Sequence, residues 1–369
     1  MIKLGKILFV AFLVFKVFMF AGWLFFKISS PGVLPPLKDE AGVEIEGSVS
    51  HKHWLEIGGI DQGFFIRGES ADNPVILFLH GGPGSPELPF IMAGEKGDKF
   101  DKLEKYFTVC YWDQRGAGMT FSPSLDHATA TVEQMVEDTR QMTEYLMERF
   151  GQDKIILMGH SWGSFLGVKT IERYPRFFSA YIGVGQVTDQ TLSEKLAYDY
   201  MLGYAEEIGD KGAARRLRKF DRAAADFPQM EYVAGIRTGL MNKYGVGVKH
   251  RGASMSGIVG EIMLFPGYTF AEKVRYARGS LFSLEHIFHN VLRESLFETT
   301  RTFEVPVYII HGQYDYQVSC TLAQKYLETI EAPAKEFFLF ENSAHSPNLE
   351  ERERFIEVVR DIALRHSNQ

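Results

Sequence analysis

Short apolar runs alternate with helical repeats of apolar residues along most of the chain. Runs rich in β-branched and aromatic residues, bounded by turn residues, are typical of strands buried on both faces. Such strands are predicted over residues 74–79, 107–112, 154–158, 178–184, 305–310 and 336–340. Helical spacing is found over residues 131–150, 164–174, 322–330 and 348–366, and a hairpin pattern over residues 43–57 and 63–67. This alternation predicts an α/β protein with a mainly parallel sheet and helices on both faces.

The middle of the chain, residues 188–300, breaks this rhythm. It lacks a buried strand pattern but carries helical repeats, several glycines and many aromatic residues. Because the strand pattern resumes at residue 305, we interpret this region as a helical cap inserted over one end of the sheet. A separate domain is the alternative. The predicted sheet domain then comprises residues 43–187 and 301–369.

The N-terminal segment differs in character from the rest of the chain. Residues 7–26 form an apolar run of about 20 positions, the length of a membrane-spanning helix, with Lys16 as its single charge. We predict a single-pass membrane anchor over residues 1–30 and a proline-containing linker over residues 31–42. Lysines before the run and acids after it favour a cell-membrane protein whose folded part is extracytoplasmic. A cleaved signal peptide and a buried soluble helix are the alternatives.

Composition narrows the class of protein further. Of the 369 residues, 45% are hydrophobic and 24% are charged, which is typical of a packed globular protein. A formal net charge of −7 argues against a nucleic-acid partner, since phosphate recognition needs a basic surface. The 2 cysteines are too few for a disulfide scaffold or a four-cysteine zinc site. An enzyme or a binding protein with an ordinary core remains.

A candidate nucleophile lies at the end of a predicted strand. The motif G-H-S-W-G at residues 159–163 follows the run at residues 154–158 and precedes a helix. Glycines at both ends of such a motif allow the tight strand-to-helix turn that exposes a serine hydroxyl above the sheet. The sequence therefore predicts Ser161 as a nucleophile. A simple helix entry with a small residue is the alternative.

A serine nucleophile needs a base, and the base needs a carboxylate that orients it. Asp315 and His345 follow Ser161 in the chain order that this type of site requires, and each comes after a predicted strand. The carboxyl ends of parallel strands meet at one edge of a sheet. We therefore expect Ser161, Asp315 and His345 to meet at that edge as catalytic residues.

Acyl transfer also needs hydrogen-bond donors for the developing oxyanion. The loop H-G-G-P-G at residues 80–84 follows a central strand and lets the backbone approach a substrate closely. The amides of Gly82 and Trp162 are predicted as the oxyanion hole, and a tight turn without this role is the alternative. In the motif D-Q-R-G-A-G at residues 113–118, which ends the adjacent strand, Asp113 and Arg115 are expected to brace the loop at residues 80–84, called the first loop below.

The other histidines do not indicate a metal site. A structural hydrogen-bonding role is expected for His80, His160 and His311, which belong to turn motifs. A third ligand at a recognisable spacing is missing for the pairs His51 with His53 and His286 with His289. Neither a metal nor a cofactor is therefore expected.

Five motifs, taken in order, make the chain resemble the proline iminopeptidase branch of the α/β-hydrolase superfamily. They are HGGPG at 80–84, DQRGAG at 113–118, GHSWG at 159–163, HGQYD at 311–315 and SAHSP at 343–347. The resemblance covers the chain from about residue 43 onwards, apart from the cap. It implies an α/β-hydrolase fold with an eight-stranded sheet and a helical cap. It also implies a triad of Ser161, Asp315 and His345 and the release of N-terminal residues, often proline, from short peptides.

The chain departs from this family pattern in several respects. Met119 stands where the family often has serine, and most of the family's peptidases are soluble. The family's aminopeptidases hold the free amine of the substrate with cap carboxylates. The candidates for that role in this chain are Glu194, Glu206, Glu207, Glu231 and Glu261.

We therefore expect a membrane-anchored serine hydrolase that cleaves peptide bonds through an acyl-enzyme, as an aminopeptidase of the proline iminopeptidase type. Its expected partner is a short peptide or a small amide or ester substrate. An esterase or amidase for small apolar acyl substrates is one alternative. A non-catalytic ligand-binding relative is the other.

Overall fold

The structure of the chain, a computed structural model, describes residues 2–94, 102–251 and 255–366. Its strands are β1 Val49–Ile57, β2 Ile60–Gly68, β3 Val75–Leu79, β4 Thr108–Trp112, β5 Ile155–His160, β6 Phe178–Val184, β7 Val307–Gly312 and β8 Lys335–Phe340. They form one 8-stranded sheet in the order β1-β2-β4-β3-β5-β6-β7-β8. β2 pairs antiparallel with β1 and β4, and all other neighbouring strands are parallel. The predicted eight-stranded, mostly parallel sheet is confirmed.

Helices follow most of the strands. They are α1 Ile2–Ile28, α2 Leu88–Gly94, α3 Val132–Phe150, α4 Trp162–Arg173, α5 Gln190–Glu207, α6 Lys211–Leu217, α7 Met230–Tyr232, α8 Thr238–Lys243, α9 Met255–Leu264, α10 Phe270–His286, α11 Phe288–Arg293, α12 Leu296–Thr299, α13 Cys320–Thr329, α14 Pro347–Glu350 and α15 Arg352–His366. A π-helical turn joins α7 to α8. Short 3-10 turns cover Leu103–Lys105, Gly118–Thr120, His127–Thr129 and Pro175–Phe177.

The core lies on both faces of the sheet, because successive side chains of a strand point in opposite directions. On β3, Leu77 packs in one apolar cluster with residues of α3 and α4, such as Phe165. Its neighbour Phe78 packs in a second cluster with residues of α15, such as Val359. The central strands are therefore buried on both faces, as their continuous apolar runs predict.

The chain between β6 and β7 contains helices α5 to α12 and no strand among its described residues. Residues 252–254 of the predicted cap lie outside the described residues. Helices α5 to α8 share an apolar core that includes Met201, Leu217, Tyr232 and Met241. Residues of α10 and α12, such as Tyr276 and Leu296, pack instead in the apolar clusters of the sheet.

The N-terminal segment is helical, but the structure does not support the predicted membrane anchor. Helix α1 carries Lys16 near its middle and Lys27 in its last turn. Within the ranges that the structure describes, no helix combines the length and the apolar character needed to cross a membrane. The predicted linker also packs against the protein: the Gly32 amide donates to the carbonyl oxygen of Pro266 at 3.0 Å, and Leu34 and Leu37 are buried.

Candidate active site

Ser161 lies in a strained turn between β5 and α4. Its φ of 54° is the only positive value for a non-glycine residue among those described. Such a conformation costs about 1–3 kcal/mol, so the surrounding structure must impose it. The Ser161 amide donates to the carbonyl oxygen of Val184 at 2.9 Å, which ties the turn to the end of β6. This geometry is that of the sharp strand-to-helix turn predicted from the motif.

The two glycines of the motif are required by close backbone packing. A Cβ atom on Gly159 would overlap the carbonyl oxygen of Gly163. A Cβ atom on Gly163 would overlap the carbonyl oxygen of Leu79, at the end of β3. The turn can therefore approach the neighbouring strand only because both positions lack a side chain.

Asp315 and His345 lie together at the same edge of the sheet, after β7 and β8. The Nδ1–H of His345 donates to Oδ2 of Asp315 at 2.7 Å, and both side chains are buried. The Val318 amide donates to Oδ1 of Asp315 at 3.0 Å, and Nε2 of His311 lies 3.1 Å from Oδ2. Asp315 therefore fixes the His345 ring so that Nε2 is the nitrogen left for other partners.

The electrostatics of this pair favour a neutral imidazole and an ionised carboxylate. Burial lowers the pKa of His345 below its ordinary value, although Asp315 acts in the opposite direction. Burial alone would raise the pKa of Asp315, but His345 and His311 beside it hold that pKa well below the ordinary value. At neutral pH, His345 can therefore accept a proton.

Ser161 and His345 open together into a cavity of about 520 Å³ between the sheet edge and the cap. Its lining includes Gly82 from the first loop and an apolar stretch of α9. On the other side, Ser161 and His345 also line a smaller cavity of about 60 Å³, together with Trp162 and Arg237. A substrate bound at Ser161 would therefore have room in the larger cavity.

The five cap carboxylates lie in different surroundings. Glu194 is buried and forms an ion pair with Arg237, whose Nε donates at 2.7 Å. Glu206 pairs with Arg218 on the surface, and Glu207 and Glu231 are exposed. Glu261, on α9, is the one of the five that lines the larger cavity.

Gly82 of the first loop lines the cavity next to Ser161. Gly82 has a φ of 114°, and within the described chain no protein acceptor takes its amide hydrogen. Trp162 is the first residue of α4, where amides have no partner inside the helix. A Cβ atom on Gly81 would lie 3.0 Å from Cβ of Ser161, so the loop directly abuts the nucleophile turn.

The brace of the first loop is not the one that the sequence suggests. Gln114, which lies between the two residues expected in this role, holds the loop. Its backbone N–H donates to Nε2 of His80 at 3.2 Å, and its side-chain oxygen accepts from Nε1 of Trp162 at 2.9 Å. Burial lowers the pKa of His80 to about 4, so that it accepts as a neutral ring. Arg115 instead pairs with the buried Asp138 on α3, at 2.8 Å.

Asp113 connects the sheet edge to the cap. Its Oδ2 accepts hydrogen bonds from the Met119 amide and the Tyr268 hydroxyl, both at 2.8 Å. Burial raises the pKa of Asp113 to about 7. The expected structural role therefore lies in a contact between core and cap, which no spacing in the sequence could indicate.

Glu87 is a buried site residue that the sequence analysis missed. Its Oε1 accepts from Nδ1 of His160 at 2.6 Å and from the Gly81 amide at 2.9 Å. It also lines the larger cavity. The sequence feature that could have indicated Glu87 is a carboxylate shortly after the glycine-rich loop, at the edge of the sheet where the catalytic residues are predicted.

Neither histidine pair considered for a metal gains a third ligand. The rings of His286 and His127 lie 4.4 Å apart, and those of His51 and His53 lie 6.0 Å apart. Across residues 2–94, 102–251 and 255–366, no group of three or more His, Cys, Asp or Glu side chains could hold a metal ion.

Comparison with known proteins places these residues in a family context. The family described as alpha/beta hydrolase fold matches residues 74–352. The chain is 31% identical over 317 residues to YbaC of Bacillus subtilis, which is named a probable aminopeptidase. This alignment covers 85% of this chain and 96% of that protein. It is 24% identical over 310 residues to a proline iminopeptidase of Saccharolobus solfataricus, with 84% of this chain and 91% of that protein covered.

Solved structures show the same fold. A proline iminopeptidase from Mycobacterium smegmatis aligns with a TM-score of 0.62 at 18% identity, covering 85% of this chain and 98% of the other. A proline iminopeptidase-related protein from Thermus thermophilus aligns with a TM-score of 0.57 at 18% identity, covering 86% of this chain and 98% of the other. At these identities the likeness concerns the fold alone.

Proposed function

The chain belongs to the α/β-hydrolase family, and on that premise we propose that it is a serine hydrolase that cleaves peptide bonds through an acyl-enzyme. The observation that carries this proposal is the buried His345–Asp315 hydrogen bond of 2.7 Å beside Ser161 in its strained turn. Ser161 and His345 line the same cavity at this edge of the sheet, the arrangement that nucleophilic catalysis needs.

The proposed reaction begins with proton transfer from Ser161 Oγ to Nε2 of His345. Oγ then attacks the carbonyl carbon of the substrate, and a C–O bond forms as the carbonyl becomes an oxyanion. His345 returns its proton to the leaving amine when the C–N bond breaks. Water, deprotonated by His345, hydrolyses the acyl-enzyme and restores Ser161. Asp315 stabilises the imidazolium in both halves of the reaction.

The oxyanion is proposed to accept hydrogen bonds from the amides of Gly82 and Trp162. Both lie next to Ser161, and the Trp162 amide also belongs to the positive end of the α4 dipole. Donors fixed by the backbone need no reorganisation as charge develops, and losing one such donor costs about 10²–10³-fold in kcat.

We propose aminopeptidase specificity, with Glu261 as the carboxylate that receives the substrate's free amine. Two observations support this role: Glu261 lines the cavity of about 520 Å³ next to Ser161, whereas Glu194 is occupied by Arg237. The names of the relatives, an aminopeptidase and a proline iminopeptidase, favour the same substrate class.

Aminoacyl p-nitroanilides with free and with acetylated amines test this specificity, because p-nitroaniline is then the leaving group of the N-terminal residue. The protein should prefer the free amine, and Glu261→Gln should raise KM for the free amine by about tenfold with little effect on the blocked substrate. Glu207→Gln is the matched control, because Glu207 is an exposed carboxylate of the cap. It should change KM for neither substrate. Equal turnover of both substrates by the unaltered protein would contradict aminopeptidase activity.

An esterase for apolar acyl groups is the second candidate, and one observation favours it. Ile258, Val259, Ile262 and Met263 of α9 make the cap side of the cavity largely apolar. If this is the true activity, p-nitrophenyl esters should be hydrolysed with a kcat/KM that rises with acyl chain length, and Glu261→Gln should not lower it.

A further inference from the structure

Glu87 and His160 form a buried pair directly behind the candidate active site. Both side chains are more than nine-tenths buried, and both line the larger cavity. Glu87 precedes α2, and His160 ends β5 next to Ser161. The proposed reaction uses neither side chain, so their burial needs another explanation.

The hydrogen bonds of this pair reach three separate loops. Nδ1 of His160 donates to Oε1 of Glu87 at 2.6 Å, and Nε2 donates to the carbonyl oxygen of His345 at 2.8 Å. The same Glu87 oxygen accepts the amide of Gly81 at 2.9 Å. The pair therefore connects the first loop, the nucleophile turn and the loop that carries His345.

The partners of His160 also define its charge. Both ring nitrogens face acceptors, and an imidazole can donate from both nitrogens only when it is protonated. Burial alone would lower the pKa of His160, but the Glu87 carboxylate raises it overall. Burial acts against ionisation of Glu87 as well, but His160 lowers the pKa of Glu87 overall. The pair is therefore an imidazolium with a carboxylate.

This imidazolium lies against the ring of the proposed base. The ring centroids of His160 and His345 are 4.7 Å apart. A positive charge at that distance disfavours a second positive charge on His345 and lowers its pKa. His345 then remains a neutral base at lower pH than it would without the pair.

We propose that Glu87 and His160 form a positioning pair that fixes the three loops of the active site and keeps His345 unprotonated and correctly placed for proton transfer. This role rests on the proposed serine hydrolase function. Other titratable groups surround the pair and His345: His80, His311, Asp315 and Glu350 from the core, and Arg237, Lys249, Glu261 and Lys273 from the cap side of the two cavities. The test must therefore compare single substitutions in an otherwise intact chain.

His160→Gln and Glu87→Gln provide that test. Each should lower kcat by about 10- to 100-fold with little change in KM, since misplacement of a catalytic group affects the chemical step. Each should also move the acid limb of the kcat/KM profile to higher pH, because the cation beside His345 is lost in both. The double variant should be no worse than the poorer single variant, because the two residues act as a unit.

His366→Gln is the matched control. His366 is also buried and lies 2.8 Å from the Tyr308 hydroxyl, near the start of β7 and outside the site. This variant should leave kcat and the acid limb unchanged. A neutral ester should be used as substrate, so that no ionisation of the substrate contributes to the profile.

Two results would overturn the positioning role. One is an acid limb that stays at its wild-type pH in both Gln variants, whatever their kcat; the other is a KM increase confined to free-amine substrates, which would make Glu87 a substrate ligand. If His160→Gln does not fold, Glu87→Gln decides, since its side-chain carbonyl can still accept the Gly81 amide. Ser161 labelling by a fluorophosphonate is measured in parallel. No labelling of wild type refutes the proposed function, whereas normal labelling with an unmoved acid limb refutes the pair alone.

Discussion

The edge of the sheet and the cap hold their site residues in different ways. At the edge, backbone geometry fixes the nucleophile turn: Ser161 lies in a strained turn, and Gly163 packs against the backbone of β3. In the cap, side chains do this work, as in the buried ion pair of Glu194 with Arg237. Backbone constraints restrict which residues can occupy a position, whereas side-chain contacts allow many solutions. The edge is therefore suited to one fixed reaction, whereas the side chains of the cap can differ so that different substrates are bound.

Loss of the proposed base should separate the two regions most strongly. His345→Ala should lower kcat by on the order of 10⁴- to 10⁶-fold, because proton transfer from Ser161 loses its acceptor. Glu261→Gln, in the cap, should act on KM and leave kcat for a neutral ester near the wild-type value. Steady-state kinetics on both variants make the comparison. A decrease in kcat below tenfold in His345→Ala would contradict a catalytic role for this edge of the sheet.

Glycine substitutions should show the same contrast in stability. Gly163→Ala places a Cβ atom against the Leu79 carbonyl and should lower the free energy of unfolding by about 1–3 kcal/mol or more. Gly203→Ala, in α5 of the cap, meets nothing within 4 Å and should raise it by about 0.5–1 kcal/mol. Urea unfolding measures both. Equal destabilisation by the two changes would contradict the tighter constraint at the edge.

Asp113 should make the contact between edge and cap sensitive to pH. Its pKa of about 7 in the folded protein lies above the ordinary value of 3.8, so the folded state keeps a proton that the unfolded state loses. This contribution to stability is present below pH 3.8 and is lost as pH rises through about 7. Asp113→Asn should therefore gain stability relative to wild type between pH 4 and pH 8. A difference in unfolding free energy that does not change with pH would refute this.

The smallest predicted effect is a shift of the acid limb of the kcat/KM profile to low pH in the wild-type protein. His345 must be neutral to act, and its pKa is lowered by burial. The kcat/KM for a neutral ester should therefore fall only as pH drops below the ordinary histidine value of about 6.5. A midpoint above that value would show that His345 is not held neutral, or that another group limits the reaction.

Residues that backbone geometry constrains could be predicted from the sequence. The buried runs predict the strands, and the strand order along the chain predicts that Ser161, Asp315 and His345 follow strands of one sheet. Glycines at residues 159 and 163 are informative because the turn excludes any side chain there. The same reasoning leads to the loop of Gly82.

Residues that meet only through side chains could not be predicted. Glu87 and His160 are separated by 73 positions, and Glu194 and Arg237 by 43. No periodicity links such pairs. The same holds for Gln114, whose contacts with His80 and Trp162 form only in the folded protein. Helix α1 shows another limit: its apolar run predicts a helix, but the membrane-spanning role is not supported.

The site of covalent labelling tests the central claim most directly. The intact protein is treated with a fluorophosphonate probe, and the modified residue is identified by peptide mass spectrometry. One adduct on Ser161 is predicted, and it should be absent from Ser161→Ala and still form in Ser164→Ala, the neighbouring buried serine. An adduct on another residue, or no adduct on protein that is folded and intact, would contradict the proposal that this edge of the sheet carries out hydrolysis.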